Sequence, residues 1–430
     1  MKKVITYGTY DFLHYGHKRL LERAKALGDY LIVGVTSDDF DKSRGKINVQ
    51  QTLTERIEAV RELGIADEII VEEYEGQKID DIKRYGVDIF AVGSDWVGKF
   101  DYLREYCEVV YLPRTEGISS SEIRAEKPVR LGTIGNSSNV EKVKREAAFV
   151  NGIEVAPPWE GDEPLTEYLS RVDAVYIYSH PTRHPDEIRT ALSAGKHVLS
   201  ETPVTLDPET TAELFALAEE KNVILMEALK TAFSTAYRRL ILMLKGNKIG
   251  KIVSVDATCT KMEELGAEGK DSLSGRWGSL YDWGPTAMLP VFDLLGTGYL
   301  ESSIVSKVHE ADETFDVFTK IDFRYPDAVA SVKVGNGVKS EGELVVTGTK
   351  GYAFVAAPWW KTEFFEIRYE DQNRNERYFY RMDGEGIRYE LVHFLNAIRS
   401  GSKYQEIGRD CTLGFSKVMQ EFASGRAKRI

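Results

Sequence analysis

Two histidines three residues apart, His14 and His17 in the stretch Tyr7-Gly-Thr-Tyr-Asp-Phe-Leu-His-Tyr-Gly-His-Lys-Arg19, are the side chains here whose type and spacing most directly suggest chemistry. Val4 and Ile5 precede them in a short apolar run that reads as a buried strand; Gly8 and Thr9 turn it, and Arg19 to Leu27 has the apolar spacing of a helix. His14 and His17 therefore sit where a strand hands over to a helix N-terminus. Unpaired backbone N–H groups and the positive end of the helix dipole collect there, so the place suits a phosphate chain, and two imidazoles add donors aimed at the same anion. This is the chemistry of a nucleotide triphosphate site. Capping or padding of a helix start is the other reading of the same pair.

The elements that must position these groups alternate along the first 127 residues. Tyr30 to Val35, Glu68 to Val71 and Ile89 to Val92 read as buried strands, with helices predicted over Gln51 to Leu63 and Lys78 to Tyr85. Such alternation predicts a parallel sheet with ligands gathered at the carboxyl ends of its strands, where His14, Trp96 and Ser119 all fall. The charged segment Ser121 to Lys127 reads as a helix end and linker. Pro128 opens a second start, Val129-Arg-Leu-Gly-Thr-Ile-Gly135. After Gly250, alternating runs at Ile252 to Thr258, Val317 to Phe323, Ala328 to Val334 and Glu343 to Val346 predict a mostly antiparallel sheet, closed by an amphipathic helix over Tyr389 to Ile398. The domain boundaries read from this are 1–127, 128–250 and 251–430, in an α/β protein.

At 430 residues the chain exceeds one ordinary core. A net charge of -12 argues against holding nucleic acid by bulk charge, so phosphate recognition must be local. Cys107, Cys259 and Cys411 lie far apart with no Cys-x-x-Cys pairing, which fits a reducing compartment and gives no zinc pattern. No run of about 18 apolar residues occurs, so a cytoplasmic protein without membrane insertion is expected.

The histidine-bearing stretch resembles the nucleotidyltransferase superfamily with the His-x-Gly-His motif, and its glycerol-3-phosphate cytidylyltransferase branch in particular. Arg114-Thr-Glu-Gly-Ile-Ser-Ser-Ser121 resembles that branch's second signature, with Ser120 and Ser121 where Thr is usual. Gly93-Ser-Asp-Trp96, Gly98-Lys-Phe-Asp101 and the Glu55-Arg56 pair extend the likeness over residues 1–126. The resemblance implies a Rossmann-like domain that joins CTP to a small polyol phosphate, most simply glycerol-3-phosphate, giving CDP-glycerol and pyrophosphate for a cell-surface polymer such as teichoic acid or capsule. The acceptor's own phosphate oxygen is the nucleophile, so positioning and charge stabilisation carry the catalysis. That work is assigned to His14, His17, Arg114 and Lys46. Nucleotide contacts fall to Gly8, Thr9, Tyr10, Asp11, Gly16, Gly93, Asp95, Arg114, Gly117, Ile118, Ser119, Ser120 and Ser121, with Asp11 also the candidate to help hold Mg2+ brought by CTP. Trp96, Lys99 and Asp101 are the acceptor-binding candidates. Lys46 as a solvated loop residue, Asp11 as a turn cap, Arg114 as a surface ion-pair partner and Trp96 as a core aromatic remain open.

Residues 128–430 resemble the Gfo/Idh/MocA family of nicotinamide-dependent oxidoreductases, through Asp173-Ala-Val-Tyr-Ile-Tyr, His184, Gly195-Lys-His-Val-Leu-Ser-Glu-Thr-Pro203 and Asn222-Val-Ile-Leu-Met-Glu-Ala228. The likeness implies a dinucleotide-binding Rossmann domain followed by an α+β open-sheet domain, with NAD(P) as the possible cofactor. Three motifs depart from the family. Glu201-Thr202-Pro203 replaces Glu-Lys-Pro, and a hydroxyl cannot serve as the ready acid an ammonium is. Asp282-Trp-Gly284-Pro-Thr286 lacks the family histidine. Gly135 keeps the first glycine of the phosphate loop, Ser137 stands at the second, and no convincing ribose-binding acid follows the next strand. A reductase using Asp282, Lys230 or His184 as substitute acid and a binding, regulatory or dimerising module both fit. Family likeness and the exposed-looking Trp359 and Trp360 suggest a homo-oligomer, and a non-catalytic nucleotide sensor is the rival reading for the whole chain.

Overall fold

Val4, Ile5, Leu31, Ile32, Val33 and Val35 are each 0% exposed, and their uninterrupted burial makes β1 (Lys3–Gly8) and β2 (Tyr30–Thr36) central strands covered on both faces. The computed structural model describes residues 1–13, 15–43, 49, 51–74, 76–113, 128–135, 137–150, 152–263, 276–380, 382, 384–401 and 405–430. They form two units, Met1–Pro128 and Val129–Ile430.

In the first unit β3 (Glu68–Glu72), β4 (Ile89–Gly93) and β5 (Glu108–Leu112) complete a parallel sheet of order β3-β2-β1-β4-β5. Helices α1 (Tyr15–Lys25), α2 (Asp38–Ser43), α3 (Leu53–Glu62) and α4 (Gln77–Tyr85) connect the strands, and separate apolar clusters around Leu21 and Val60 and around Phe90 and Leu103 complete the core. The chain leaves β1 toward β2 on one side and returns to β4 on the other, so its topological switch point lies beside β1, where such sheets take ligands. α1 starts at Tyr15, four residues before the apolar spacing predicts, because its first turn carries Gly16, His17 and Lys18 rather than core residues. His17 therefore lies within the helix.

The second unit opens with β6 (Val129–Gly135), β7 (Ile153–Val155), β8 (Ala174–Tyr178), β9 (His197–Glu201) and β10 (Leu225–Ala228), a parallel sheet of order β10-β9-β8-β6-β7. Its helices are α5 (Ser137–Ala147), α6 (Leu165–Leu169), α7 (His184–Ser193), α8 (Pro208–Lys221), α9 (Lys230–Phe233) and α10 (Thr235–Lys245). α8 shows how sharply the sequence sets such ends: Asp207 accepts the Thr210 N–H at 2.7 Å, Pro208 occupies the first turn and Asn222 closes the helix at φ 53°.

A nine-stranded mixed sheet follows, built from β11 (Ile252–Lys261), β12 (Glu301–His309), β13 (Asp312–Arg324), β14 (Val329–Asn336), β15 (Leu344–Gly348), β16 (Tyr352–Val355), β17 (Phe364–Arg368), β18 (Glu376–Phe379) and β19 (Lys428–Arg429). Pairing is antiparallel except between β11 and β14 and between β12 and β19. α11 (Ser279–Leu295) packs on this sheet; α12 (Ile387–Ser400) and α13 (Arg409–Glu421) complete the unit. Trp359 corrects the expectation of an exposed aromatic pair. It is 0% exposed and its Nε1 donates to the Thr258 carbonyl at 3.1 Å, while Trp360 leans on the Trp283 ring at 4.9 Å. The tight turn at 359–361 sends the two indoles in different directions, which composition alone hides. Among the described residues no helix is long and apolar enough to cross a membrane.

Candidate active sites

Loop 9–13 joins β1 to α1 at the carboxyl edge of the first sheet. Tyr10 and Phe12 hold φ of 55° and 48°, a left-handed conformation that costs a side-chain-bearing residue roughly 1–2 kcal/mol. Packing offsets that cost. The Tyr10 ring is 1% exposed and lies so close to Gly8 that a Cβ there would come within 2.9 Å of it, and the His17 ring meets Tyr10 edge-on at 5.5 Å. Asp11, 3% exposed, accepts the Gln51 N–H at 3.0 Å, and the Phe12 N–H donates to Gln51 Oε1 at 2.6 Å. Arg56 draws the surrounding loops together. Its guanidinium is fully enclosed and donates to the carbonyls of Thr9 at 2.6 Å, Thr36 at 2.8 Å and Gln51 at 3.1 Å, and to the Asp38 carboxylate. Asp41, also enclosed, stands 3.9 Å away and accepts the Thr9 hydroxyl at 2.9 Å. Glu55, its partner in sequence, does different work: it forms a reciprocal capping box with Thr52 that starts α3.

A second polar cluster occupies the ends of β1, β2 and β3. Tyr7 donates to Asp81 at 2.8 Å, Gln77 to the same carboxylate at 3.0 Å and Thr36 to Glu72 at 2.8 Å. Lys78 pairs with Glu72 and holds its ammonium 4.7 Å above the Tyr7 ring. Burial, then the Asp81 charge, pushes the Tyr7 hydroxyl far above its ordinary range, so it stays a donor. Beyond β4, the Lys99 ammonium lies 5.0 Å over the Trp96 ring, and Asp101 accepts Tyr111 at 2.8 Å and Arg104 at 3.2 Å, bonds that hold its carboxyl below the usual range.

In the second unit a cavity of about 920 Å³ opens at the carboxyl ends of β6, β8 and β9. At one end Gly135 has φ 117°, and a Cβ would stand 2.4 Å from the Tyr178 carbonyl carbon, so only glycine lets β6 pass this close to β8. α5 begins two residues later. Trp159 bridges Ile134 in the parallel sense and carries the β7 edge level with the end of β6; Glu160 follows it and lines the cavity. At the other end stand Glu201, Lys230, Asp282 and Asn336. Burial pushes Glu201 up to about 7 against the opposing pull of Lys230. Asp282 is raised by burial and accepts Asn336 Nδ2 at 3.0 Å, while Trp283 Nε1 holds the Asn336 carbonyl at 2.9 Å. Asp316 of β13 fixes the helix carrying Asp282 by accepting the Leu280 N–H at 3.0 Å.

Residues 5–126 match the cytidylyltransferase-like family model. Over 126 residues the chain is 51% identical to glycerol-3-phosphate cytidylyltransferase of Bacillus spizizenii, covering 29% of this chain and 97% of that protein. The Staphylococcus aureus enzyme of the same name is 48% identical over 126 residues, with 29% of this chain and 95% of that one covered. The chain belongs to the cytidylyltransferase-like family. Residues 126–229 match the model described as oxidoreductase family, NAD-binding Rossmann fold, of the Gfo/Idh/MocA type. A dTDP-3,4-didehydro-2,6-dideoxy-alpha-D-glucose 3-reductase of Actinomadura kijaniata is 40% identical over 105 residues, 23% of this chain and 32% of that one. The solved structure of KijD10, a 3-ketoreductase from Actinomadura kijaniata with NADP and TDP-benzene, has a TM-score of 0.58 at 23% identity and covers 71% of this chain and 99% of that one. That likeness is one of fold.

In this cytidylyltransferase-family chain, Gly8, Thr9, Asp11, Gly16 and His17 gather around loop 9–13, while the Tyr10 side chain turns into the core. Gly93 ends β4, with Asp95 in the turn after it. His14, Lys46, Arg114, Gly117, Ile118, Ser119, Ser120 and Ser121 lie outside the described residues. Arg56 and Lys78 join these clusters through contacts distant in the chain, and the Glu55-Arg56 pair at a helix start is the one sequence signal for the first. Gly135, Glu201, Lys230 and Asp282 share one cavity. Thr202 does not join them: its hydroxyl donates to the enclosed Glu227 at 2.6 Å, an acid that also accepts Thr412. Nor does His184 serve as a cavity acid. It is 0% exposed, with one ring nitrogen 2.9 Å from the Pro203 carbonyl and the other 2.9 Å from that of Ser179, and burial lowers its basicity. Pro203 follows the cis bond Thr202-Pro203. Glu160 is a cavity-lining acid at the β7 edge that the sequence hides, because the edge continues irregularly through Pro157 and Pro158.

Proposed function

We propose that the first unit transfers CMP from CTP to a small polyol phosphate, glycerol-3-phosphate foremost, giving CDP-glycerol and pyrophosphate for a cell-surface polymer. The observation that carries this reading is identity near one half over almost the entire length of proteins named glycerol-3-phosphate cytidylyltransferase. An oxygen of the acceptor phosphate bonds to the α-phosphorus as the bond to pyrophosphate breaks; His14, His17, Arg114 and Lys46 stabilise the charge, and Mg2+ accompanies the triphosphate. Arg56 holds the loop after β1 that leads toward His17, and Lys78 offers a cation at the strand ends. The protein works as a homo-oligomer in the cytoplasm. Pyrophosphate release from CTP across a panel of polyol phosphates tests the reading: release with one acceptor names it, and silence with all of them rejects it.

The second unit reads as an NAD(P)-dependent reductase of a polyol-phosphate precursor. Its residues fit a dinucleotide: Gly135 and the α5 N-terminus suit the pyrophosphate, and Glu160 suits ribose hydroxyls. The cofactor would supply hydride. A carboxylate at Glu160 opposes a 2′-phosphate, so NAD should bind more tightly than NADP, and Glu160→Gln should narrow that gap in a fluorescence titration. A wild-type preference for NADP would contradict the assignment.

A further inference from the structure

A cavity of about 570 Å³ opens between α13 and the edge of the nine-stranded sheet, and it shares no lining residue with the cavity at Glu201. β19 pairs with β12 only at Val305 and Ser306. Glu301 to Ile304 of β12 therefore have no strand on that side among the described residues, and they form one wall. α13 forms the other through Lys417 and Glu421, four residues apart and so on one helix face. After the turn Phe422–Arg426 the chain is extended at Ala427, which is buried, while Arg426 and Lys428 on either side of it line the cavity.

Positive charge is in excess here. Glu301 is paired with Arg324 at 3.1 Å. Glu421 accepts the Ser302 hydroxyl at 2.7 Å and the Tyr299 hydroxyl at 3.3 Å, which ties α13 to β12, and Arg426 stands 3.8 Å from it. The Lys417 ammonium lies 4.4 Å over the Tyr299 ring, a contact that holds a cation without cancelling its charge. Among the described residues neither Lys417 nor Lys428 has a carboxylate partner. Two uncompensated ammoniums and one loosely paired guanidinium, 75% exposed, thus border one space. They suit an anion of more than one charge, and the planar fork of arginine favours phosphate. Phe292 at 6.4 Å and Phe323 at 5.1 Å also engage the Tyr299 ring, so a nucleobase finds no open aromatic face there. Leu300, 57% exposed, and Ser303 suit a short hydroxylated carbon chain instead.

We propose that Lys417, Arg426 and Lys428 form a binding site for the phosphate of a small phosphorylated polyol, separate from both candidate active sites. Helix, turn and edge strand each contribute one cation, and Glu421 holds the helix against the sheet so that all three border the same space. Binding there is non-covalent. It requires neither CMP transfer in the first unit nor hydride transfer in the second.

Lysine acylation of the full-length chain, followed residue by residue by mass spectrometry, reads this site apart from any phosphate site in the first unit. Lys417 and Lys428 are exposed and open to the reagent. Glycerol-3-phosphate should slow their acylation several-fold and saturably, while the exposed Lys339 keeps its rate. Arg426→Gln should raise the half-protecting concentration about tenfold, the usual loss for a hydrogen bond to a charged group. Inorganic phosphate, lacking the carbon chain, should protect only at several-fold higher concentration. Equal slowing by sodium chloride at the same ionic strength, or protection unmoved by Arg426→Gln, overturns the site. Inorganic phosphate as potent as glycerol-3-phosphate, or CMP more potent, overturns the polyol-phosphate class.

Discussion

Arg56 sets the residue-scale logic of the first unit, because one fully buried guanidinium satisfies carbonyls from three segments and faces the equally buried Asp41. Removing one side of a buried charge pair leaves the other uncompensated, at a cost of about 3–5 kcal/mol. Arg56→Ala should lower unfolding stability by that order in a denaturant titration. Arg56→Lys should recover only part of it, since an ammonium lacks the planar fork that reaches several acceptors at once. His17 is a different kind of residue, half-buried on the Tyr10 ring in the first turn of α1. His17→Ala should lower turnover by about 10²–10³-fold, the usual loss for one charge-stabilising donor, with little change in melting temperature. A normal rate would remove His17 from the site. The sequence makes His17 legible because His-x-Gly-His is a local pattern. Arg56 and Lys78 act through contacts with residues distant in the chain, and no local pattern encodes those.

Among the elements, strand order explains why the sites form where they do: each parallel sheet presents its carboxyl edge, and β1 and β6 end there on Gly8 and Gly135. The alternation that predicts these sheets is plain in sequence because buried parallel strands are continuous apolar runs. Helix starts were less legible, since first turns are polar, and so was the β7 extension that places Glu160. The α12, β8 and β9 contact has a pH signature. Burial raises Glu201 to about 7 and Glu390 to about 8, above the unfolded carboxylate range, so the folded chain binds more protons than the unfolded one. That stabilisation is complete below the unfolded values and is lost as pH rises through the folded ones. His180, His184 and His197, lowered by burial, act with the opposite sign below about pH 6.5, so the carboxylate slope is read above it. The stability of the second unit should fall as pH rises from about 6.5 to 8, with a slope of at most about 1.4 kcal/mol per pH unit for each carboxyl still protonated in the folded chain, and should level off above about pH 8. Glu390→Gln should flatten it; an unchanged slope would show that Glu390 is ionised throughout.

The whole molecule joins a cytidylyltransferase-family unit to a second unit whose residues up to 229 match an oxidoreductase-family model, within one acidic chain of net charge -12. Phosphate binding against that background requires local cations and helix ends rather than bulk attraction. Both units were legible in sequence because each carries motifs tied to backbone geometry. The polar group at the second unit's cavity was not, since the three motif departures said nothing of how folding brings Glu201, Lys230 and Asp282 together. The central claim is that the first unit makes a new P–O–P linkage. Phosphorus NMR of the full-length chain with CTP, Mg2+ and glycerol-3-phosphate reads that linkage directly. The account predicts coupled diphosphate resonances of CDP-glycerol growing in step with free pyrophosphate. CTP that binds without either signal, or that yields only CMP and pyrophosphate by hydrolysis, would contradict it.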